Sequence, residues 1–323
     1  MQTIFCFSYK MDCTFIEKIG KGAYGEVWKG VCQGKTVAIK VFSDLNEWQN
    51  EYFNLKQIKK VCDPYALCLL GQYTKDNKGY VVTNLVNGPT FLSALAGNSL
   101  EKRQSYSQPM FDLVKGLALI HNAGVVHLDI KGSNIMMDDH FRYIDFGYGC
   151  RKGVYDCIAT GSVYSAAPTT DLEQPYSWEE GMSFDVWSLG VMLLRWYSME
   201  WDPEFNMKLA QNGTINDRSV VVNATSKFYP AYSDFSPDFL DYIIRTIPNT
   251  GVRSVVGILL VRDPVQRNVN FEFAQKILNN SVNIAEETSS DVLEIADALI
   301  QRLVSRDVDN VIPTIDRIMS LQS

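Results

Sequence analysis

Polar residues that could carry chemistry cluster near the middle of the chain. Residues 127 to 134 read His-Leu-Asp-Ile-Lys-Gly-Ser-Asn, and an Asp-Phe-Gly triplet begins at Asp145, sixteen residues after Asp129. Phosphoryl transfer needs a carboxylate that orients the attacking hydroxyl, oxygen ligands for Mg²⁺ or Mn²⁺, and cations that balance developing charge. Asp129 can supply the carboxylate, Asn134 and Asp145 can supply the metal ligands, and Lys131 can supply one of the cations. A single Asp is usually a solvated loop residue, but this ordered set predicts a catalytic centre.

A glycine-rich stretch, GKGAYGEV, lies upstream and contains Gly20, Gly22, Gly25 and Val27. It stands between two strand-like segments, whereas a dinucleotide-binding turn opens a helix and a Walker A loop needs Gly-Lys-Ser/Thr, so neither motif fits. A glycine hairpin lets backbone amides approach phosphates without obstruction by side chains. The stretch alone is equally compatible with a tight turn that has no function.

Lys40 is a second candidate cation, at the end of the apolar run Val-Ala-Ile-Lys. An unpaired ammonium is costly to bury, so Lys40 needs an anionic partner. Glu51 is the best candidate, because its charge would complete an ion pair that holds Lys40 toward phosphate. Glu47, one helical turn earlier, is the alternative. A surface lysine beside a surface glutamate is common, but it would leave the alignment of Lys40 with the glycine stretch unexplained.

The elements that would position these residues differ along the chain. Between Phe15 and Val86, β-branched and apolar residues alternate between turns, which predicts an antiparallel sheet. Residues 44–60 place apolar side chains at helical spacing and predict one amphipathic helix beside that sheet. From Asn87 onward the pattern is mostly helical, although the polar segment 199–232 reads as loops with short helices.

The end of the chain carries two further apolar stripes at helical spacing: Val292, Ile295, Leu299 and Leu303, then Val308, Val311, Ile315 and Ile318. An apolar stripe usually faces a core, so we expect these helices to pack against the large helical region. A partner-binding or regulatory role is the alternative.

Composition narrows the class of protein. The net charge of −7 argues against a broad nucleic-acid-binding surface, and no stretch is apolar for long enough to predict a membrane-spanning helix or a signal peptide. The seven cysteines are an odd number without a CxxC pair in a chain that is large enough to do without disulfides. We therefore expect reduced thiols and an intracellular, cytoplasmic protein. The sequence makes no prediction about the oligomeric state.

Taken together, these motifs resemble those of the eukaryotic-type protein kinase family over roughly residues 15 to 280. The resemblance implies an α+β, two-lobed protein-kinase-like fold, with a small antiparallel-sheet lobe that carries one helix and a larger, mainly helical lobe. The implied divisions are an ATP-binding lobe at 1–86, a lobe with the catalytic and activation loops at 87–284, and a helical extension at 285–323. ATP would be the co-substrate in the cleft, together with Mg²⁺ or Mn²⁺, and the partner would be a protein with a Ser or Thr acceptor.

The resemblance also implies roles for single residues. The implied ATP-binding set comprises the glycine-loop residues Gly20, Gly22, Gly25 and Val27, then Ala38, Lys40 and Glu51, and then Thr83, Asn84 and Val86 at the hinge. Thr83 stands at the position that controls the depth of the adenine pocket. Lys131 looks like the serine/threonine class, and Ser162 resembles the hydroxyl residue that contacts the catalytic aspartate. Asp185 is implied to anchor the catalytic loop, and Arg267 to support the large lobe.

Two positions depart from the family pattern. Leu128 stands where many such proteins have an arginine that binds a phosphate on the activation loop, so we predict activity that needs no phosphorylation between Asp145 and Pro168. Thr169 replaces the glutamate that would pair with Arg267. We expect Glu173, Glu179 or another nearby acid to replace that partner, or Arg267 to be hydrated. These two departures from the family pattern are compatible with a viral or pathogen-encoded protein that acts in the cytoplasm of a host.

Two other functions remain open. A pseudokinase would keep the fold as a binding scaffold, but such proteins typically lose one of the residues equivalent to Lys40, Asp129, Asn134 and Asp145, all of which are present. A small-molecule phosphotransferase of related architecture also uses a His-x-Asp loop and a downstream aspartate. Lys131 and the intact Asp-Phe-Gly triplet favour the protein kinase.

Overall fold

The computed structural model describes residues 12–22, 25–154, 157–158, 165–168, 175–198 and 237–284. The predicted segment at 199–232 and the apolar stripes beyond residue 285 lie outside these ranges. In the described ranges, no helix is both long and apolar enough to cross a membrane.

A five-stranded antiparallel sheet forms the first lobe. Its strands are β1 (Cys13–Gly22), β2 (Gly25–Cys32), β3 (Lys35–Phe42), β4 (Leu69–Lys75) and β5 (Lys78–Asn84), in the order β1-β2-β3-β5-β4. At the start of β2 the backbone passes so close to β3 that a Cβ on Gly25 would lie 2.0 Å from Val41 O. Glycine at this position therefore allows β2 to approach β3 this closely.

Helix α1 (Leu45–Ile58) packs against this sheet. Asp44 begins it, since its side chain accepts a hydrogen bond of 2.6 Å from Asn46 N. The buried face contains Glu51, Asn54, Leu55 and Ile58, which recur at i, i+3, i+4 and i+7. Two of these four residues are polar, and both face the site described below.

The second lobe is mainly helical. Its helices are α2 (Phe91–Gly97), α3 (Leu100–Gln104), α4 (Gln108–Asn122), α5 (Trp178–Ser198), α6 (Pro237–Arg245), α7 (Thr250–Leu259) and α8 (Pro264–Ile284). Helix α5 is buried along most of its length and packs against α3, α4, α7 and α8. The predicted α+β architecture with a small sheet lobe and a larger helical lobe is confirmed.

Short strand pairs bring the chemistry-bearing loops together. Strand β6 (Val125–Val126) pairs with β9 (Cys150–Arg151), and β7 (Ile135–Met137) pairs with β8 (Phe141–Tyr143). The loop between β6 and β7 and the loop between β8 and β9 consequently lie side by side. The remaining described pair is β10 (Cys157–Ile158) with β11 (Pro175–Tyr176).

The expectation of reduced cysteines is wrong for these strands and loops. Cys13 and Cys32 are direct partners across β1 and β2 and form a disulfide, and Cys62 and Cys68 form another. Cys150 is also disulfide-bonded. These pairs could not be predicted from the cysteine spacing, because strand register and a returning loop bring the sulfur atoms together.

Candidate active site

Lys40 lies on β3 and contacts two carboxylates. Its Nζ forms an ion pair with Glu51 on α1 and lies 2.8 Å from Asp145 Oδ1. Glu47, the alternative partner, forms no ion pair within the described ranges. Burial alone would lower the pKa of Lys40, but the two carboxylates outweigh it and raise that pKa, so Lys40 stays charged.

The two carboxylates respond differently to this shared cation. Burial raises the pKa of Glu51 above its usual value, against the attraction of Lys40. Burial also acts to raise the pKa of Asp145, but the charge and hydrogen bond of Lys40 lower it overall. Asp145 is therefore ionised at neutral pH.

The predicted catalytic loop gathers three polar side chains. Lys131 Nζ lies 2.8 Å from Asp129 Oδ2, and Asn134 Nδ2 donates to the same oxygen over 2.7 Å and to the Asp129 carbonyl over 2.9 Å. Asp129 is 2% exposed. Its other oxygen, Oδ1, is buried and has no hydrogen-bond partner among the described residues. A buried carboxylate oxygen is costly to leave unpaired, so this arrangement suits an incoming donor.

A buried aspartate fixes the backbone of this loop. Asp185 on α5 accepts hydrogen bonds from His127 N at 2.6 Å and Leu128 N at 2.8 Å, and it contacts His121 Nε2 at 2.9 Å. Leu128 has a φ of +61°, a conformation that costs about 1–3 kcal/mol in a residue with a side chain. The paired carboxylate oxygens hold the loop in this conformation.

Asp145 and Asn134 have oxygens available for a cation. Their backbones lie close together, since Ile144, the residue before Asp145, donates through its N to Asn134 O over 2.9 Å. Asp145 has a φ of +63°, and its Oδ1 accepts from Lys40 and from Gly147 N. In the described part of the chain, neither Asp145 Oδ2 nor Asn134 Oδ1 accepts a hydrogen bond. Oxygen donors of this type fit Mg²⁺, which takes one or two protein ligands and completes its shell with water and phosphate.

A cleft between the lobes contains most of the predicted ATP-binding residues. Its lining includes Val27, Ala38, Lys40, Glu51, Thr83, Asn84, Val86 and Asp145. Apolar residues in strands and in the loops beside them carry no signal that they face a ligand, so six further lining residues were not predicted: Ile19, Leu67, Val81, Leu85, Met136 and Ile144. Gly20, Gly22 and Gly25 lie on β1 and β2, and the tip of their hairpin lies outside the described ranges.

The surroundings of Leu128 are apolar. Its side chain is fully buried in a cluster with Val126, Cys150, Ala166 and Phe184. The position at which many kinases hold a phosphate-binding arginine is therefore part of a small hydrophobic core.

The guanidinium of Arg267 has partners other than the carboxylate that was expected. It donates to four neutral oxygens, those of Val261 O, Arg262 O, Ser183 O and Ser183 Oγ, at 2.8–3.0 Å. Within the described ranges no carboxylate lies at ion-pair distance from Arg267, so Glu179 is not its partner. Glu173 lies outside these ranges and stays a prediction. Burial lowers the pKa of Arg267 to about 10, and Asp263 offsets this only in part. Two of the four oxygens belong to Val261 and Arg262 just before α8, and the other two belong to Ser183 on α5.

Outside the described ranges lie three residues with expected roles: Ser162, Thr169 and Glu173. Ser165 is described, and its Oγ donates to Ile130 O over 2.8 Å. Two residues on α1 that were not predicted also contact the site. Asn54 donates to the carbonyl of the residue after Asp145, and Asn50 donates to the carbonyl of the next residue.

Comparison with known proteins decides the family. A family model of the protein kinase domain matches residues 13–306. The chain belongs to the protein kinase family. Similar kinases include the serine/threonine-protein kinase dst1 of Dictyostelium discoideum, 26% identical over 80% of this chain and 34% of that protein. Serine/threonine-protein kinase 4 homolog A of the same organism is 28% identical over 55% of this chain and 40% of that protein. This kinase chain thus matches well under half the length of these relatives.

Proposed function

We propose that this chain transfers the γ-phosphoryl group of ATP to serine or threonine hydroxyls of protein substrates. The observation that carries the proposal is the buried Oδ1 of Asp129, which has no hydrogen-bond partner among the described residues. Lys131 and Asn134 contact the other carboxylate oxygen, Oδ2. The names of the similar kinases support the Ser/Thr class.

In this mechanism Asp129 Oδ1 accepts the hydrogen bond of the substrate hydroxyl and then takes its proton. The hydroxyl oxygen forms the new bond to the γ-phosphorus while the bond from that phosphorus to the bridging oxygen breaks, which leaves ADP. Lys40 is held by Glu51 and Asp145 in position to bind phosphate oxygens, and Lys131 balances charge beside Asp129. Bound Mg²⁺, held by Asn134 and Asp145, would shield the negative charge of the phosphates.

Turnover of Mg-ATP with a Ser/Thr peptide library tests the proposal. Asp129→Asn should lower kcat by orders of magnitude and leave ATP binding nearly unchanged, because the amide cannot take the proton. Near-normal turnover by this variant would refute the role of Asp129. ATP binding without turnover in the wild type would favour a scaffold, and transfer to alcohols or aminoglycosides alone would favour a small-molecule phosphotransferase.

Activity without activation-loop phosphorylation is part of the proposal, and the apolar surroundings of Leu128 support it. Phosphatase-treated protein should be as active as untreated protein. Loss of turnover on dephosphorylation and its return on phosphorylation would contradict the proposal. We also propose the division into an ATP-binding lobe at 1–86, a catalytic lobe at 87–284 and a helical extension at 285–323.

The proposed cytoplasmic location now rests on the need for ATP, because the disulfides remove the support expected from the cysteines. Alkylation of the protein in its source cells, followed by mass spectrometry, tests this location. Alkylated cysteines would support a reducing compartment, whereas bonded cysteines would argue against one.

A further inference from the structure

Two side-chain amides join helix α1 to the segment that follows Asp145. Asn50 Nδ2 donates to Gly147 O at 2.7 Å and to Gly149 O at 3.0 Å. Asn54 Nδ2 donates to Phe146 O at 2.8 Å and to Gly149 O at 2.7 Å. We call Asn50 and Asn54, one helical turn apart, the asparagine clamp.

The orientation of the Asn54 amide is fixed on both sides. Its Oδ1 accepts a hydrogen bond of 3.0 Å from Arg151 Nη1, which can only donate, while its Nδ2 faces two carbonyls, which can only accept. Asn54 is fully buried. Gly149 leaves room for this contact, because a Cβ at that position would lie 3.0 Å from Asn54 Nδ2. A buried amide with this set of partners is a rigid connection between α1 and the loop.

The asparagine clamp connects two parts of the candidate active site. Glu51, the partner of Lys40, is next to Asn50 on α1, so the helix that carries the ion pair also carries the clamp. The clamped carbonyls begin one residue after Asp145, whose φ of +63° must be held by its surroundings. Moving α1 away would therefore break the ion pair and free the backbone next to Asp145 in the same step.

We propose that Asn50 and Asn54 are positioning residues that hold Asp145 for metal and nucleotide binding without a phosphate on the activation loop. The inference rests on the proposed function, since it concerns how that site is held in its working arrangement. A bound phosphate commonly orders such loops through a guanidinium. Here the residue before Asp129 is Leu128, buried among apolar side chains, and neutral amide-to-carbonyl hydrogen bonds supply the connection instead.

The test compares three variants of the whole chain. Asn54→Leu removes the central amide at similar volume, and Asn50→Ala removes the half-buried one, which keeps the test open if Asn54→Leu does not fold. Gln57→Ala is the matched control, because Gln57 Nε2 donates to Ala123 O over 2.9 Å from the same helix without touching the Asp145 segment.

Two readouts do not depend on turnover. Backbone hydrogen exchange in the peptide that covers residues 145–150 should become faster in Asn54→Leu and Asn50→Ala and stay unchanged in Gln57→Ala. The free Mg²⁺ concentration that gives half of the thermal shift with a non-hydrolysable ATP analogue should rise about tenfold in Asn54→Leu and about threefold in Asn50→Ala, given the usual strength of such hydrogen bonds.

A purely structural role would lower the melting temperature and leave the Mg²⁺ midpoint of the folded variant at the wild-type value, and that result would overturn the inference. Equal exchange in all three variants would also overturn it. If the wild type shows no turnover, the proposed function fails, whereas exchange and the Mg²⁺ midpoint still decide the role of the asparagine clamp.

Discussion

Replacing Leu128 by arginine would restore the residue type that many kinases have at this position, and we expect it to destabilise the protein. The Leu128 side chain is fully buried among apolar neighbours. An arginine there loses the burial of the leucine, about 2 kcal/mol, and places a guanidinium among the apolar side chains of Val126, Ala166 and Phe184. Removing the partner of a buried charge costs about 3–5 kcal/mol. Partial escape of the long side chain to solvent reduces this sum, so we expect a loss of about 4 kcal/mol.

Leu128→Met is the matched control for this substitution. A volume-conserving change in a core usually costs less than about 1.5 kcal/mol. The left-handed backbone conformation at this residue is shared by leucine, methionine and arginine, so its cost cancels in the comparison. Any difference between the two variants therefore reports the charge.

Thermal and urea unfolding measure the effect. At about 2–4 °C for each kcal/mol, the arginine variant should melt roughly 10 °C below the wild type, and the methionine variant within about 6 °C of it. An arginine variant as stable as the wild type would refute the reasoning, because the guanidinium would then have found an acid or water at this site. The same variant, assayed after phosphatase treatment, should gain no dependence on activation-loop phosphorylation.

Three further predictions concern the supports of the site. Arg267→Lys should cost about 3 kcal/mol in thermal unfolding because one ammonium cannot reach four oxygens, whereas Arg245→Lys, at an exposed ion pair, should cost under about 1 kcal/mol. Replacing Cys62 and Cys68 together by serine should cost about 2 kcal/mol for a loop of this length, measured by urea unfolding without reductant, and an unchanged midpoint would count against the bond. The lowered pKa of Asp145 stabilises the fold above its unfolded pKa, near 4, and this contribution is lost as pH falls through the folded pKa. Acid titration should consequently cost the wild type more stability below about pH 4 than Asp145→Asn, and parallel curves would contradict this.

Much of the fold followed from local pattern. Alternation predicted the sheet, and helical spacing placed an amphipathic helix at 44–60, where α1 runs from Leu45 to Ile58. These signals are short-range, because each strand or helix shows its buried face within a few residues. The motif residues could also be identified from the sequence, because the order of Lys40, Asp129, Asn134 and Asp145 is unusual.

The contacts that support the site could not be read in this way. Asn54 bonds to carbonyls 92 and 95 residues away, and a buried asparagine looks like any polar position of an exposed helix face. Three of the four partners of Arg267 are backbone carbonyls, which every residue possesses and which therefore leave no trace in the sequence. Disulfide pairing depends on strand register, which links Cys13 to Cys32. In each case the missing information is a long-range approach of backbone.

Charged contacts predominate beside the atoms expected to react, and several of the contacts around them are neutral. At the centre, Lys40 and Lys131 contact the carboxylates of Glu51, Asp145 and Asp129. Around it, the apolar cluster of Leu128 and the side-chain amides of Asn50 and Asn54 are neutral supports, whereas Asp185 and Arg267 are charged ones. Neutral supports respond weakly to pH, salt and phosphate, whereas charged contacts respond strongly. A change in pH or salt should therefore act on the ion pairs of Lys40 and Lys131, and so on the proposed phosphoryl transfer, before it alters these neutral supports.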